Sequence, residues 1–139
     1  MANKYNGEYE IILDFRKINM RINMDVVASF QSETGHDFFH VAIRAMNALR
    51  KSAGLDPFDQ SELLTSAVSM EDAAWLFYLA AKQCDSAITF EEIQEAVLHE
   101  GPLYRAEFEE KPAVEGYPVQ FANLVMFAIL GVMDEAKKN

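Results

Sequence analysis

Residues 69–84 read SMEDAAWLFYLAAKQC and decide the fold, because residues 73–81 are nine consecutive apolar residues. A helix that has no polar stripe has to be covered on all sides. Ser69 and Asp72 match a start signal in which a hydroxyl caps the first helical turn. The sequence therefore predicts a buried central helix over 70–84. Three aromatic residues of this run are expected in the core and not at a ligand: Trp75, Phe77 and Tyr78.

The segments on both sides of this helix predict a small, mainly α domain with a short N-terminal β-strand or hairpin. Apolar residues alternate from Glu8 to Phe15, after the turn-forming pair Asn6-Gly7, which is typical of a strand. We expect one domain, 1–139, with about five helices. The predicted elements are a strand over 8–15, helices over 16–30, 36–52, 70–84, 90–100 and 118–136, and an irregular acidic segment over 101–117.

Three predicted boundaries rest on local signals. Ile18, Ile22 and Val26 follow one another at intervals of four, which favours a helix over 16–30. Thr34 and Asp37 resemble a capping box for the helix over 36–52. Residues 55–59 read LDPFD and predict a loop, followed by one short turn of helix capped by Ser61.

Thr89 and Glu92 give the clearest capping signal of the chain, in front of FEEIQEAVLHE at residues 90–100. Gly101-Pro102 ends that helix. The sequence thus predicts an acidic helix followed by a proline- and glutamate-rich segment.

Composition limits the class of protein. The chain has 139 residues, half of them apolar, and a single cysteine, Cys84. A domain of this size folds without a disulfide or a zinc cluster. No secretion signal is visible at the N-terminus, so we expect a cytoplasmic protein. The net charge of −10 counts against nucleic acid and anionic membranes as partners, because both require a cationic face.

The negative charge is unevenly distributed. Residues 1–51 hold seven bases against six acids, whereas residues 85–115 hold nine acids and only two bases. One interpretation is a solvated helix face followed by a solvated loop. The other is a surface for a basic partner, or for the near-neutral first third of another copy of the chain. The acids that would form this surface are Glu91, Glu92, Glu95, Glu109 and Glu110.

The last predicted helix opens at Pro118, and twelve of the fifteen residues from Val119 to Met133 are apolar. It is shorter than a membrane span of about 20 apolar residues. It either crosses the core against the Trp75 helix, or leaves one face for another subunit or partner. The residues proposed for such a partner surface are Phe121, Leu124, Val125 and Phe127.

The sequence offers little catalytic chemistry. His36 and His40 have the i, i+4 spacing of zinc hydrolases, but Asp37 stands where a glutamate base would be and no third histidine follows. Cys84 has only Lys82 as a nearby base and is expected to be a small apolar residue, not a nucleophile. No phosphate loop, dinucleotide motif or hydrolase elbow is present. We therefore predict no enzyme activity, no metal and no cofactor.

Three stretches resemble the tail assembly chaperones of long-tailed bacteriophages and prophages. They are GEYEIILDFRKIN at 7–19, similar to a short strand that runs into a helix, EDAAWLFYLAAKQC at 71–84, and the Thr-capped acidic helix ITFEEIQEAVLHEG at 88–101. The resemblance covers about a third of the chain directly and most of it in layout, but not the apolar ending 118–133. None of the three stretches is a catalytic motif.

The resemblance implies a non-enzymatic protein of the bacterial host cytoplasm that is absent from the finished virion. Such chaperones bind the tape-measure protein, keep it soluble and help to recruit tail-tube protein. A chaperone for a long helical client needs apolar surface to shield that client and charge to keep the complex soluble. Self-association of this chain is a further expectation.

Two other classes compete with this interpretation. An acidic regulatory module could mimic nucleic acid and block a basic DNA-binding protein. Such a mimic would spread acids over much of its surface, whereas this chain concentrates them. A small enzyme rests only on His36 and His40 and has the weakest support.

Overall fold

A computed structural model describes residues 7–138, and the side chains of residues 7–130. The described part is mainly helical, with a two-stranded antiparallel hairpin at its start. Six helices are present in this part, one more than the sequence predicted. The elements are β1 (Glu8–Leu13), β2 (Arg16–Arg21), α1 (Met24–Thr34), α2 (Phe38–Lys51), α3 (Pro57–Thr65), α4 (Met70–Lys82), α5 (Phe90–Glu100) and α6 (Tyr117–Lys138).

Helix α4 is the centre of the fold, as its apolar run predicted. It is surrounded by α1, α5, α6 and β2. The side-chain oxygen of Ser69 accepts a hydrogen bond from the Asp72 N–H and caps its first turn. Phe77 is fully buried and meets Phe121 of α6 edge to face, with the ring centroids 6.1 Å apart. Trp75 is only half-buried and stacks on Phe90 of α5 at 4.3 Å.

The predicted helix over 16–30 is wrong in its first part, because residues 16–21 form strand β2. Ile18 and Met20 are buried, while Lys17 and Asn19 between them are exposed. This period of two fits a strand with one buried face. Ile18 lies opposite Ile11 in the hairpin, so the spacing of four that it shares with later residues did not reflect a helix there.

The helical part of that segment begins later, at α1. The side chain of Asn23 caps it by accepting a hydrogen bond from the Val26 N–H at 3.0 Å. Thr34 belongs to the end of α1, where its hydroxyl donates to the Phe30 carbonyl at 2.7 Å. The cap of α2 is therefore Asp37, which accepts from the Phe39 N–H, and not Thr34.

Helix α3 begins at Pro57, so the loop predicted over 55–59 is confirmed only at residues 55 and 56. Asp56 caps it by accepting a hydrogen bond from the Asp59 N–H at 2.9 Å, and Pro57 occupies the first turn. Proline is favoured there because its fixed φ suits a helix start and its missing N–H is not needed. Ser61, expected as the cap, is instead a buried residue inside this helix.

Helix α6 crosses the core, which was one of the two alternatives that the sequence left open. It packs mainly on α2, and also on β1, α3 and α4. At the exposed edge of α6, the ring of Tyr9 stacks on that of Phe127, with the ring centroids 5.5 Å apart. The Tyr9 hydroxyl donates a hydrogen bond to the Phe127 carbonyl. No helix among the described residues is both long and apolar enough to cross a membrane.

The hairpin turn carries backbone strain. Asp14 and Phe15 connect the paired residues Leu13 and Arg16, and both have positive φ, 52° and 64°. A two-residue turn with both φ values positive suits the twist of a hairpin, but glycine and asparagine adopt it far more easily than phenylalanine. The fold therefore holds Phe15 in a conformation that the residue itself disfavours.

Replacement of Phe15 by glycine should relieve this strain. We expect Phe15→Gly to raise the free energy of unfolding by about 0.5–1 kcal/mol, measured by urea denaturation. The control is Lys17→Gly in the adjoining strand, which should lower it by a similar amount because glycine is entropically costly in regular structure. A loss of stability in both variants would contradict the strained turn.

Candidate protein-interaction surfaces

Three of the four apolar residues proposed for a partner surface lie in the core. Phe121, Leu124 and Val125 have no exposed surface. Each is enclosed because α6 runs between α2 and the β1 side of the molecule. A partner cannot touch these three side chains while the domain is folded as described. Phe127 differs, since 38% of it is exposed beside Tyr9.

The acids proposed on α5 do lie on the surface. Glu91, Glu92 and Glu95 are all exposed on the side of the helix that faces away from α4. Glu92 also has a local role: its N–H donates to the Thr89 hydroxyl, and that hydroxyl donates back to its carboxylate, both at 3.2 Å. A guanidinium nitrogen of Arg16 in the hairpin approaches it at 3.8 Å. Glu91 and Glu95 are left facing solvent.

The other proposed acids stand at the tip of a small protrusion. Two antiparallel bridges, Arg105 with Val114 and Phe108 with Lys111, fold the segment back on itself. Glu109 and Glu110 form the tip, with φ values of 47° and 65°. Phe108, at the base of the tip, is 70% exposed. The protrusion thus presents two carboxylates beside an uncovered aromatic ring.

The segment between α5 and α6 was predicted to be irregular, and outside these two bridges it has no regular structure. It is nevertheless fixed to the body of the domain. The Tyr104 N–H donates to the Ser61 hydroxyl of α3 at 2.9 Å, and the Thr65 hydroxyl donates to the Pro102 carbonyl at 3.0 Å. The Arg105 guanidinium donates to the carbonyls of His99 and Glu100.

Glu100 provides a further attachment, which sequence reasoning missed. This last residue of α5 is 2% exposed. One carboxylate oxygen accepts from the Asp14 N–H at 2.8 Å, and the other from the Gly116 N–H at 2.9 Å. Burial raises the pKa of the Glu100 carboxyl; the two N–H donors and the charge of Arg105 oppose that shift. A single side chain therefore joins the hairpin turn, α5 and the start of α6. We call this arrangement the Glu100 clasp.

Gly116 is required in the clasp for two reasons. Its φ is +98°, a conformation that other residues rarely adopt. A Cβ atom added to it would lie 2.8 Å from the Pro102 carbonyl oxygen. Only glycine lets the chain pass this close and still direct its N–H to Glu100.

Large apolar side chains are exposed on α2 and beside the acids of α5 and the protrusion. On α2, Phe39 is 50% exposed and Ile43 is 56% exposed. Leu98 of α5, beside the acids of that helix, is 60% exposed, and Phe108 of the protrusion is 70% exposed. Single exposed apolar residues are ordinary on protein surfaces, but their place next to carboxylates suits contact with an amphipathic, basic protein segment.

A cleft of about 290 Å³ opens where α2, α3, α6 and the 101–117 segment meet. Among the described residues that line it, Glu115 is the only charged one. The described lining of the cleft supplies no nucleophile paired with a base. The cleft is lined by Leu49, Pro57, Gln60, Tyr104, Glu115, Val119 and Asn123.

The residues considered for catalysis have other surroundings. His36 lies 2.8 Å from Asp72, a carboxylate buried at the start of α4, and so links the beginnings of α2 and α4. Within residues 7–130 no three potential metal ligands come together. Burial raises the pKa of the Cys84 thiol, with Glu8 adding to the shift and Arg21 opposing it, which disfavours the reactive thiolate.

Comparison with known proteins found no matching family model, no similar curated protein and no similar solved structure. A proposal of function therefore draws on the resembling sequence stretches and on the exposed surfaces. These surfaces consist of the acids of α5, the acidic protrusion and the exposed apolar residues of both.

The position of α6 predicts that replacing either of two phenylalanines by alanine lowers the free energy of unfolding, but by different amounts. Phe121→Ala should lower the free energy of unfolding by about 3–5 kcal/mol, because it leaves a cavity against Phe77. Phe127→Ala, the matched control at the edge of the same helix, should cost about 1–2 kcal/mol. Urea denaturation of both variants tests this. Near-native stability of Phe121→Ala would show that α6 does not pack as described.

The Glu100 clasp predicts a pH dependence. Glu100 has an ordinary pKa of 4.5 in the unfolded chain and a raised pKa in the folded one. Between these values the folded state binds more protons, so this group contributes stability below pH 4.5 that is lost as the pH rises through its folded pKa. Glu100→Gln removes that contribution.

The measurement is the free energy of unfolding of both proteins by urea at successive pH values from about 4 to 7. The variant loses hydrogen bonds at every pH. The difference in the free energy of unfolding, variant minus parent, should nevertheless rise as the pH increases across this window. Two parallel curves would contradict a raised pKa at Glu100.

Proposed function

We propose that this protein is a bacteriophage tail assembly chaperone that binds the tape-measure protein, keeps it soluble and helps to recruit tail-tube subunits. It would act in the cytoplasm of the bacterial host and leave before the virion is complete. The proposal rests on the three sequence stretches that resemble this family. The single structural observation that supports it is the pairing of exposed apolar side chains, Leu98 and Phe108, with the acids of α5 and the protrusion.

The physical reasoning concerns what such a client requires. A long helical protein without its final partners exposes an apolar stripe that tends to aggregate. A binding protein has to cover that stripe with apolar atoms and keep net charge on the complex. Leu98 and Phe108 provide apolar contact, and Glu91, Glu95, Glu109 and Glu110 provide the charge. The contact surface proposed here therefore differs from the one that the sequence suggested on α6, of which only Phe127 is accessible.

The three resembling stretches also have defined places in the fold. Residues 71–84 lie mostly in α4 and residues 88–101 mostly in α5, so the second and third stretches pack on each other. Residues 7–19 lie in the hairpin, whose Arg16 approaches Glu92 of α5. All three thus lie in or beside the region that carries the proposed surface.

A second candidate is an acidic module that binds a basic regulatory protein in place of nucleic acid. The exposed carboxylates of α5 favour it. Against it, α2 carries no acid and three bases, so the exposed face of this helix lacks the negative charge that a mimic needs. A pull-down with basic DNA-binding proteins of the same genome would distinguish the two candidates.

Co-expression tests the first candidate. The chain is produced with the tape-measure protein and the tail-tube protein of the same genome, and the soluble fraction of the tape-measure protein is measured. We expect it to increase and to co-purify with the chain. The variant Leu98→Ser/Phe108→Ser should reduce that fraction severalfold without unfolding the chain, because it removes exposed apolar contacts.

The control is Leu55→Ser, which removes an exposed apolar side chain from the loop before α3. It should leave client solubility unchanged. An equal loss of soluble client in both variants would reject the proposed surface. If the parent chain does not increase the soluble client at all, the chaperone function is rejected.

A further inference from the structure

The exposed face of α2 carries apolar residues near its start and basic residues near its end. Phe39 and Ile43 lie one turn apart and are half-exposed, and Arg50 follows seven residues after Ile43 on the same face. Lys51 adds a second exposed base at this end, and α2 contains no acid. Along its length the face is therefore apolar first and basic last.

The exposed face of α5 has the reverse pattern. Glu91 and Glu95 lie one turn apart, and Leu98 follows seven residues after Glu91 on the same face. Leu98 is 60% exposed. This face is acidic first and apolar last.

The two spacings match. Seven residues of helix correspond to about 10.5 Å, both from Ile43 to Arg50 and from Glu91 to Leu98. When the two helices lie antiparallel, Ile43 meets Leu98 at one end and Arg50 meets Glu91 at the other. A parallel arrangement would place the apolar residues of one helix against the acids of the other.

These faces are not used within the described part of one chain. Helix α2 packs on α1, α3 and α6, whereas α5 packs on α4 and β1. Among the described residues, no ion pair involves Arg50, Lys51, Glu91 or Glu95. Arg44, the remaining base of α2, is held by a hydrogen bond to the Ala67 carbonyl and is left out of the match.

We propose that α5 of one copy of this chain packs antiparallel on α2 of a second copy. Because the two faces differ, each contact leaves a free α2 face on one copy and a free α5 face on the other. Repetition of the contact builds either an open row of copies or a closed ring. Single surface ion pairs contribute little, so the association is weak, depends on protein concentration and decreases with added salt. The proposal does not depend on the chaperone function.

Charge exchange tests the pairing in the full chain. Arg50→Glu and Glu91→Arg should each weaken self-association about tenfold, measured by sedimentation velocity over a range of concentrations at low salt. An equimolar mixture of the two variants should restore association, since each then offers a face that complements the other. The double variant Arg50→Glu/Glu91→Arg should also associate like the parent chain.

Two further variants serve as matched controls for net charge. Lys17→Glu on the hairpin and Glu71→Arg at the start of α4 change exposed residues outside the two faces. They should leave association within about twofold of the parent. Ile43→Ser and Leu98→Ser should each weaken it by at least as much as the charge reversals.

A parent chain that remains monomeric at millimolar concentration and low salt would overturn the proposal. So would single variants whose loss is not restored in the mixture and in the double variant, because a general effect of charge or stability cannot be rescued by exchange. Restoration of association in both combinations is the result we expect.

Discussion

The absence of a polar stripe on α4 is the constraint on which the rest of this structure depends. A helix with seven buried residues, among them Leu76 and Phe77, has to be covered from several directions. The fold does this with α1, α5, α6 and the inner face of the hairpin. The hairpin alone would be only marginally stable in water. It persists because Ile18 and Met20 lie against this core.

The Glu100 clasp joins elements that cover this core. Three elements that cover the core meet at the end of α5, where the chain turns away into the 101–117 segment. A carboxylate that accepts two backbone N–H groups fixes this junction, although burial of the charge opposes it. Removal of the charge should therefore stabilise the fold, whereas removal of the hydrogen bonds should destabilise it. The segment outside the junction remains free to carry exposed acids and Phe108.

Exposed charge of opposite sign is carried by different elements of the fold. Helix α5 and the protrusion each present acids beside an exposed apolar side chain, Leu98 and Phe108, whereas α2 presents bases with Phe39 and Ile43. A net charge alone says only which partners are disfavoured. Its division among elements is the basis of the proposed contacts with a client protein and with a second copy of this chain.

The sequence by itself determined the elements whose signals are local. The capping hydroxyls of Ser69 and Thr89, the apolar run of α4 and the alternation from Glu8 onward all act within a few residues, so these elements could be predicted. Tertiary structure alone decided what depends on pairing at a distance. Strand β2 exists because Ile18 lies opposite Ile11 in a register that buries both, although its spacing also suits a helix. Packing of neighbouring elements also buries Phe121 completely and buries Glu100 while the two residues before it stay exposed. Sequence does not reveal this, because an apolar or acidic residue looks the same whether another element covers it or not.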